Sequence, residues 1–232
     1  MKTIWKKRLG KNRLILVFNG FAMDPRPLSG LKIPEDADLV ILGVYHDLAI
    51  SLADEQAILA YSRIDVAAWS LGVWVFGQIG DKIILKQGVR VAINGTLCPL
   101  DAKLGIPPAI FALTRERFGP LTRPDFYRRV CSDPQTEMQF LALEPERTPE
   151  DQALELAFLH EALLAEKAPR PLEGLFHKAF VGSRDLIFPP SSQERFWKGH
   201  VLLKVLDAGH FPFNLWSSWD DLFFEDGAEA VD

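Results

Sequence analysis

Three residues far apart in the chain are of the types that acyl transfer to a serine requires: Ser70, Asp185 and His210. A serine hydroxyl is a weak nucleophile near neutral pH. It needs a histidine to take its proton and later return it to the leaving group. The histidine in turn needs a carboxylate to hold its tautomer and to stabilise the imidazolium. Each residue also has a plainer reading. Ser70 would then be a strand-end serine capping a helix, Asp185 a turn residue with Asp207 as the rival acid, and His210 a loop histidine.

The settings favour chemistry. Ser70 lies in Ala67-Ala68-Trp69-Ser70-Leu71-Gly72, between an apolar strand-like run and a helix-compatible one. That is the context of the nucleophile elbow, usually written G-x-S-x-G. Its turn is strained, so the residues two positions either side must be small. Gly72 satisfies this, and Ala68 stands where the first glycine usually falls. Asp185 ends Gly182-Ser183-Arg184-Asp185, just after the apolar run Ala179–Val181, and His210 lies in Asp207-Ala208-Gly209-His210-Phe211-Pro212, just after Val201–Leu206. The chain order Ser, Asp, His is that of α/β-hydrolases, not of chymotrypsin or subtilisin.

A negative charge developing on the substrate needs donors. The run Leu16-Val17-Phe18-Asn19-Gly20-Phe21 is a strand entering a small-residue turn. In hydrolases of this class a backbone N–H from that loop joins the one after the nucleophile, here Phe21 and Leu71, to form an oxyanion hole. A plain turn between strand and helix is the alternative. Trp69 and Trp74 flank the elbow, and Trp69, beside the nucleophile, is the candidate for lining an acyl pocket.

These residues need elements that hold them at one end of a sheet. Six short apolar runs serve as strands: Leu14–Phe18, Leu39–Val44, Asp65–Trp69, Val89–Ile93, Ala179–Val181 and Val201–Leu206. Near-continuous apolar runs suit strands buried on both faces of a parallel sheet. Helical stretches are expected between them, at Ser51–Arg63 and Leu71–Ile79. Strands alternating with helices indicate an α/β fold with a mostly parallel central sheet. From about Pro99 to Pro171 no buried strand is recognisable. Helical pieces punctuated by prolines occupy that stretch, the best running from Pro149 to Lys167, with Thr148 as N-cap and Leu154, Phe158, Ala162 and Ala165 at helical spacing. The expected organisation is therefore a hydrolase core of residues 1–98 and 172–232 and a helical cap inserted at 99–171. The acidic tail from Glu225 is expected to fray.

The chain has 232 residues and a net charge of −5, which argues against a nucleic-acid binder. Its basic start runs into Leu14–Phe18, but no cleavage site follows and no run is long enough to span a membrane, so a cytoplasmic chain is expected. Cys98 and Cys131 lie in no metal-binding or redox spacing and are expected as reduced thiols, with a disulfide between them as the alternative. His46, His160, His177 and His200 form no zinc-ligand spacing. Arg115, Arg117, Arg123, Arg128 and Arg129 face only Glu116 and Asp125 between positions 115 and 129, a local excess of three positive charges on an acidic protein. That patch is either a solvated face or a dock for an acidic partner or a phosphate.

Three of these segments together resemble one family, the BioG-type pimeloyl-acyl-carrier-protein methyl ester esterases. They are the strand ending in Phe18-Asn19-Gly20-Phe21 with Asp24 behind it, the elbow Trp69-Ser70-Leu71-Gly72-Val73-Trp74, and the block Asp207-Ala208-Gly209-His210-Phe211-Pro212. The resemblance spans essentially the whole chain and is sharpest at both ends and the elbow. It implies hydrolysis of the methyl ester of a pimeloyl chain on acyl carrier protein, late in biotin synthesis. It implies no metal or organic cofactor, and gives the cap arginines an acidic partner. Two other functions stay open on the residues alone: a short-chain carboxylesterase or thioesterase on the same fold, and a non-catalytic binding protein.

Overall fold

The computed structural model describes residues 1–166 and 172–224. A seven-stranded sheet organises them, in the order β1-β3-β2-β4-β5-β6-β7. The parallel strands are β2 (Arg13–Phe18), β3 (Ala37–Gly43), β4 (Arg63–Trp69), β5 (Arg90–Ile93), β6 (Lys178–Gly182) and β7 (Leu202–Leu206). All six expected strands are present. Every residue of β2, β3, β5 and β6 is buried, so side chains pointing to either face are covered. This is the α/β-hydrolase architecture expected from the sequence.

The seventh strand, β1 (Lys2–Lys7), was not expected. It pairs antiparallel with β3 at the sheet edge. Three lysines in six residues hide the strand pattern, but an edge strand needs little burial, and charged side chains there discourage pairing with other chains. At the other edge, β7 keeps only Leu206 buried.

Sheet order explains where chemistry can occur. From β2 the chain goes out to β3, then crosses back to place β4 on the other side of β2. Such a reversal opens a crevice at the carboxyl ends of the two strands. In register, Phe18 of β2 sits beside Ala68 of β4. The loop after Phe18 and the elbow after Trp69 are therefore neighbours.

The helices are α1 (Leu52–Leu59), α2 (Leu71–Ile79), α3 (Pro108–Arg117), α4 (Arg123–Cys131), α5 (Pro134–Ala142), α6 (Pro149–Ala165), α7 (Pro190–Trp197) and α8 (Trp219–Phe224). Helix α2 has its expected limits. Helix α1 starts on its Ser51 cap but stops short of Arg63, which belongs to β4. Between β5 and β6 the described residues hold four helices, α3 to α6, and no strand. Each begins with a proline in its first two positions, where the missing N–H has no intrahelical partner to lose. Pro108, Pro124, Pro134 and Pro149 are thus helix starts. Helix α6 has the expected Thr148 cap, which accepts from Asp151 N. It ends at Ala165, and Lys167, like the tail from Glu225, lies outside the described residues.

The buried face of α6 differs from the expected one. Leu154 is 65 % exposed, and the covered positions are Gln152, Glu155, Leu156, Leu159 and Leu163. An apolar spacing count cannot find this face, because two of its members are polar and are buried through hydrogen bonds rather than through apolar contact.

Candidate active site

The elbow is strained, and the strain is held by close packing. Ser70 has φ 58° and ψ −128°, a left-handed conformation rare for any residue but glycine. Its N–H donates to Ile93 O at 2.9 Å. A methyl group on Gly72 would lie 2.3 Å from Phe18 O, and one on Gly95 would lie 2.3 Å from Ser70 O. The start of α2 therefore rests directly on the end of β2. Ala68 is fully buried and fits where the motif usually has glycine. Gly72→Ala forces backbone against backbone, so it is expected to destabilise the protein by at least about 1–3 kcal/mol. A lower urea midpoint with an unchanged slope is the checking measurement.

Ser70, His210 and Asp185 come together. His210 Nε2 lies 2.9 Å from Ser70 Oγ, and Nδ1 lies 2.8 Å from Asp185 Oδ2. All three residues are buried, at 5 %, 2 % and 4 % exposure. The Ser70 hydroxyl makes no capping bond to α2, which removes the plainer reading of this serine. The rival acid Asp207 is solvent-exposed and pairs with Arg184 at 2.8 Å.

The supporting groups were not anticipated. Asp185 Oδ1 accepts from Ile187 N and Phe188 N, and Oδ2 also accepts from Gln193 Nε2 at 3.0 Å. The His210 carbonyl is held by Trp69 Nε1 at 2.8 Å and Asn94 Nδ2 at 3.0 Å. Asn94 also donates to Gly209 O and accepts from Gly182 N, joining the loops that carry the acid and the base. The only sequence signal for it is the turn-forming pair Asn94-Gly95 after β5. Gln193 sits inside α7 and gives none.

Of the amides of residues 19–23, one is left unused. The N–H groups of Asn19, Gly20, Ala22 and Met23 donate to Leu42 O, Asn19 Oδ1, Glu155 Oε2 and Gly20 O. Among the described residues Phe21 N has no acceptor, and neither has Leu71 N at the first turn of α2. Both residues line the same cavity as Ser70. Two unpaired donors beside a nucleophile can stabilise an oxyanion.

That cavity encloses about 590 Å³ of empty space, its open mouth included. One wall is Ser70, His210 and the Gly20–Phe21 turn. The other comes from the segment between β5 and β6, with Phe111 of α3, Phe126 and Val130 of α4 and Leu156 of α6. Trp69 contributes to the wall, yet is only 1 % exposed and spends its indole N–H on the histidine loop. It supports the base as much as it shapes the pocket.

The five arginines separate into two sets. Arg123 pairs with Glu144 at 3.0 Å and donates to Arg147 O, while Arg128 pairs with Asp125 at 2.7 Å. Arg115 lies 4.0 Å from Glu161. Arg117 and Arg129 have no carboxylate partner among the described residues. They line a groove between α3 and α4 that shares Thr114, Phe126 and Arg129 with the catalytic cavity.

The cysteines are unpaired, and burial pushes the Cys98 thiol up to about 11 and the Cys131 thiol up to about 12. No group of three or more His, Cys, Asp or Glu among the described residues could hold a metal ion, and no helix among them is long and apolar enough to cross a membrane.

The chain is similar to known proteins in sequence and in fold. The family model for the pimeloyl-ACP methyl esterase BioG matches residues 1–222. The crystal structure of BioG from Haemophilus influenzae superposes with a TM-score of 0.86 at 31 % identity, covering 96 % of this chain and 100 % of that one. A lipase-esterase related protein from Clostridium acetobutylicum shares the fold, with a TM-score of 0.61 at 15 % identity over 90 % of this chain and 92 % of that one. A malonyl-[acyl-carrier protein] O-methyltransferase of Bacteroides fragilis is 35 % identical over 204 residues, which is 87 % of this chain but 40 % of that protein.

Proposed function

The chain belongs to the BioG family of pimeloyl-ACP methyl esterases, and from that premise we propose how its residues divide the work. Ser70 is the nucleophile, His210 the general base and acid, and Asp185 the group that orients His210. The amides of Phe21 and Leu71 form the oxyanion hole. The described residues of 99–171 act as a cap over a core formed by the described residues of 1–98 and 172–232. The observation that carries this is the continuous Ser70–His210–Asp185 hydrogen-bond chain opening into a largely apolar cavity.

Ser70 Oγ attacks the ester carbonyl while His210 Nε2 takes its proton, and the carbonyl oxygen becomes an oxyanion held by the two amides. The tetrahedral species collapses, the carbon–methoxy bond breaks, and His210 returns the proton so that methanol leaves. Water, deprotonated by His210, then attacks the acyl-enzyme and releases Ser70 and a free carboxylate. The carrier thioester at the other end of the chain is untouched. The enzyme is a carboxylic ester hydrolase of biotin synthesis, and its substrate implies an acyl carrier protein.

The acyl chain has about five methylenes, and burying them supplies roughly 4 kcal/mol, which binds a chain without identifying its carrier. Recognition of the carrier falls to the surface. Acyl carrier proteins are acidic, and Arg117 and Arg129 line a groove continuous with the cavity. Arg115, Arg123 and Arg128, engaged with carboxylates of this chain, are secondary. The Bacteroides fragilis relative, named for methyl transfer to a carrier-bound acid, supports chemistry on a carrier-linked methyl ester. Arg117→Glu is expected to raise KM for the carrier-linked ester about fivefold, roughly 1 kcal/mol, and to weaken its dependence on salt. Hydrolysis of a small aryl ester by the same variant is expected to be unchanged.

The direct test is incubation with pimeloyl-ACP methyl ester, followed by intact mass. The expected result is a carrier lighter by one methylene with its thioester intact. Loss of the whole acyl chain would mean a thioesterase. An untouched carrier together with hydrolysis of free aryl esters would mean a general carboxylesterase.

A further inference from the structure

The reaction described above makes no use of a carboxylate that is sealed from solvent next to the oxyanion loop. Glu155 on α6 is 0 % exposed. Its Oε1 accepts from Tyr45 N at 2.9 Å and its Oε2 from Ala22 N at 3.0 Å, and Arg147 Nη1 also donates to Oε2. We propose that Glu155, backed by Arg147, is the positioning residue of the oxyanion hole, fixing the Ala22 amide so that the Phe21 amide one peptide unit away stays aimed into the cavity. The proposal rests on the reading of Phe21 N as an oxyanion donor.

The geometry of the two loops requires such a clamp. Ala22 has φ 69° and Val44 has φ 55°, so the loops after β2 and β3 both contain a non-glycine residue in the left-handed region. Conformations of this kind persist only where surrounding groups over-determine them. Glu155 holds the amide of Ala22 in one loop and that of Tyr45, next to Val44, in the other. A carboxylate is the side chain that accepts on both oxygens and donates on neither. Neighbouring groups act on the same few atoms: Gln152 Nε2 donates to Ala22 O at 2.7 Å, and Arg147 Nη1 to Met23 O at 3.4 Å. Arg147, Gln152 and Glu155 all come from the segment between β5 and β6, so the hole is complete only when α6 is seated.

Apolar side chains often replace buried ion pairs at little cost in stability, but none could accept from the Ala22 and Tyr45 amides. Burial raises the Glu155 carboxyl above its usual range, and Arg147 opposes that shift. With Arg147 Nη1 and two backbone N–H groups donating to it, Glu155 is held as an acceptor on both oxygens where it touches the oxyanion loop.

Glu155→Gln keeps the shape, but Arg147 Nη1 and Ala22 N hold the amide oxygen, so the NH2 replaces Oε1 against Tyr45 N and pushes the clamp away from both loops. If the hole depends on Glu155, kcat falls about 10²-fold on both p-nitrophenyl acetate and the carrier-linked ester with KM unchanged, since one oxyanion donor carries about 10²–10³ in kcat. Inhibition by a phenylboronic acid, whose tetrahedral adduct on Ser70 fills the hole, weakens by the same factor. Substrate affinity measured in Ser70→Ala is unaffected by adding Glu155→Gln. A variant that keeps the wild-type kcat and boronate affinity and only melts earlier would overturn the proposal, as would a change confined to KM. Glu155→Asp, which keeps the charge beside Arg147 but is one methylene shorter, covers the case in which Glu155→Gln fails to fold. The same kcat signature at reduced size supports the proposal, and wild-type kcat in the folded variant overturns it. The aryl-ester measurement decides the matter even if the carrier-linked ester proves not to be the substrate.

Discussion

Replacing Ser70 with alanine is expected to lower turnover of the carrier-bound methyl ester by about 10⁶-fold, the loss seen when a triad serine is removed from subtilisin. The structure explains why the loss should fall on chemistry and not on folding. The Ser70 hydroxyl bonds to His210 and to no backbone group of α2, so no helix cap is lost with it. The strained turn is held by the Ser70 N–H bond to Ile93 O and by close packing at Gly72 and Gly95, all of which an alanine retains. The variant should therefore melt as the wild type does and bind substrate equally well. What remains, about 10³–10⁴ over water, would come from the oxyanion hole and from binding. Single-turnover intact mass, with thermal melting alongside, checks both halves. Turnover that survives the substitution would place the nucleophile elsewhere.

Asp185→Asn should produce the second largest loss, about 10⁴-fold in kcat, through the wrong histidine tautomer. The hydrogen bonds around Asp185 dictate the direction. Its Oδ1 accepts from Ile187 N and Phe188 N, so an asparagine must keep its oxygen there. The NH2 then takes the place of Oδ2, 2.8 Å from His210 Nδ1. An amide that donates to Nδ1 leaves the imidazole proton on Nε2, which faces Ser70 and can no longer accept its proton. Raising the pH should not restore activity, because the block is a tautomer and not a charge. Asp207→Asn is the matched control. That carboxylate is exposed and bound to Arg184, so kcat should stay at the wild-type value. If Asp207→Asn were the damaging variant and Asp185→Asn the silent one, the acid would have been misassigned.

Both predictions concern residues readable in one dimension. Each of the three lies at the end of an apolar run, and a parallel sheet collects the ends of its strands on one side. Pro149 was also legible as a helix start, because a proline there is a local effect of the missing N–H. The edge strand β1 was missed, because its lysines obey the rules of an exposed edge and not of a buried strand.

The sequence by itself determined which groups are proposed to react, their order and the kind of element that carries each. These follow from neighbouring residues: apolar runs, turn-forming pairs and the small residues around Ser70. Only the tertiary structure decided which groups support them. Glu155 meets Ala22 across 133 positions, Asn94 meets His210 across 116, and Trp69 meets His210 across 141. It also decided that Arg123 and Arg128 are engaged with carboxylates of this chain while Arg117 and Arg129 stand over the cavity groove. A hydrogen-bond partner at such separation is chosen by strand order and helix seating. Glu155 and Gln152 mark the limit most clearly, since α6 buries these two polar residues where a pattern of apolar spacing predicts Leu154.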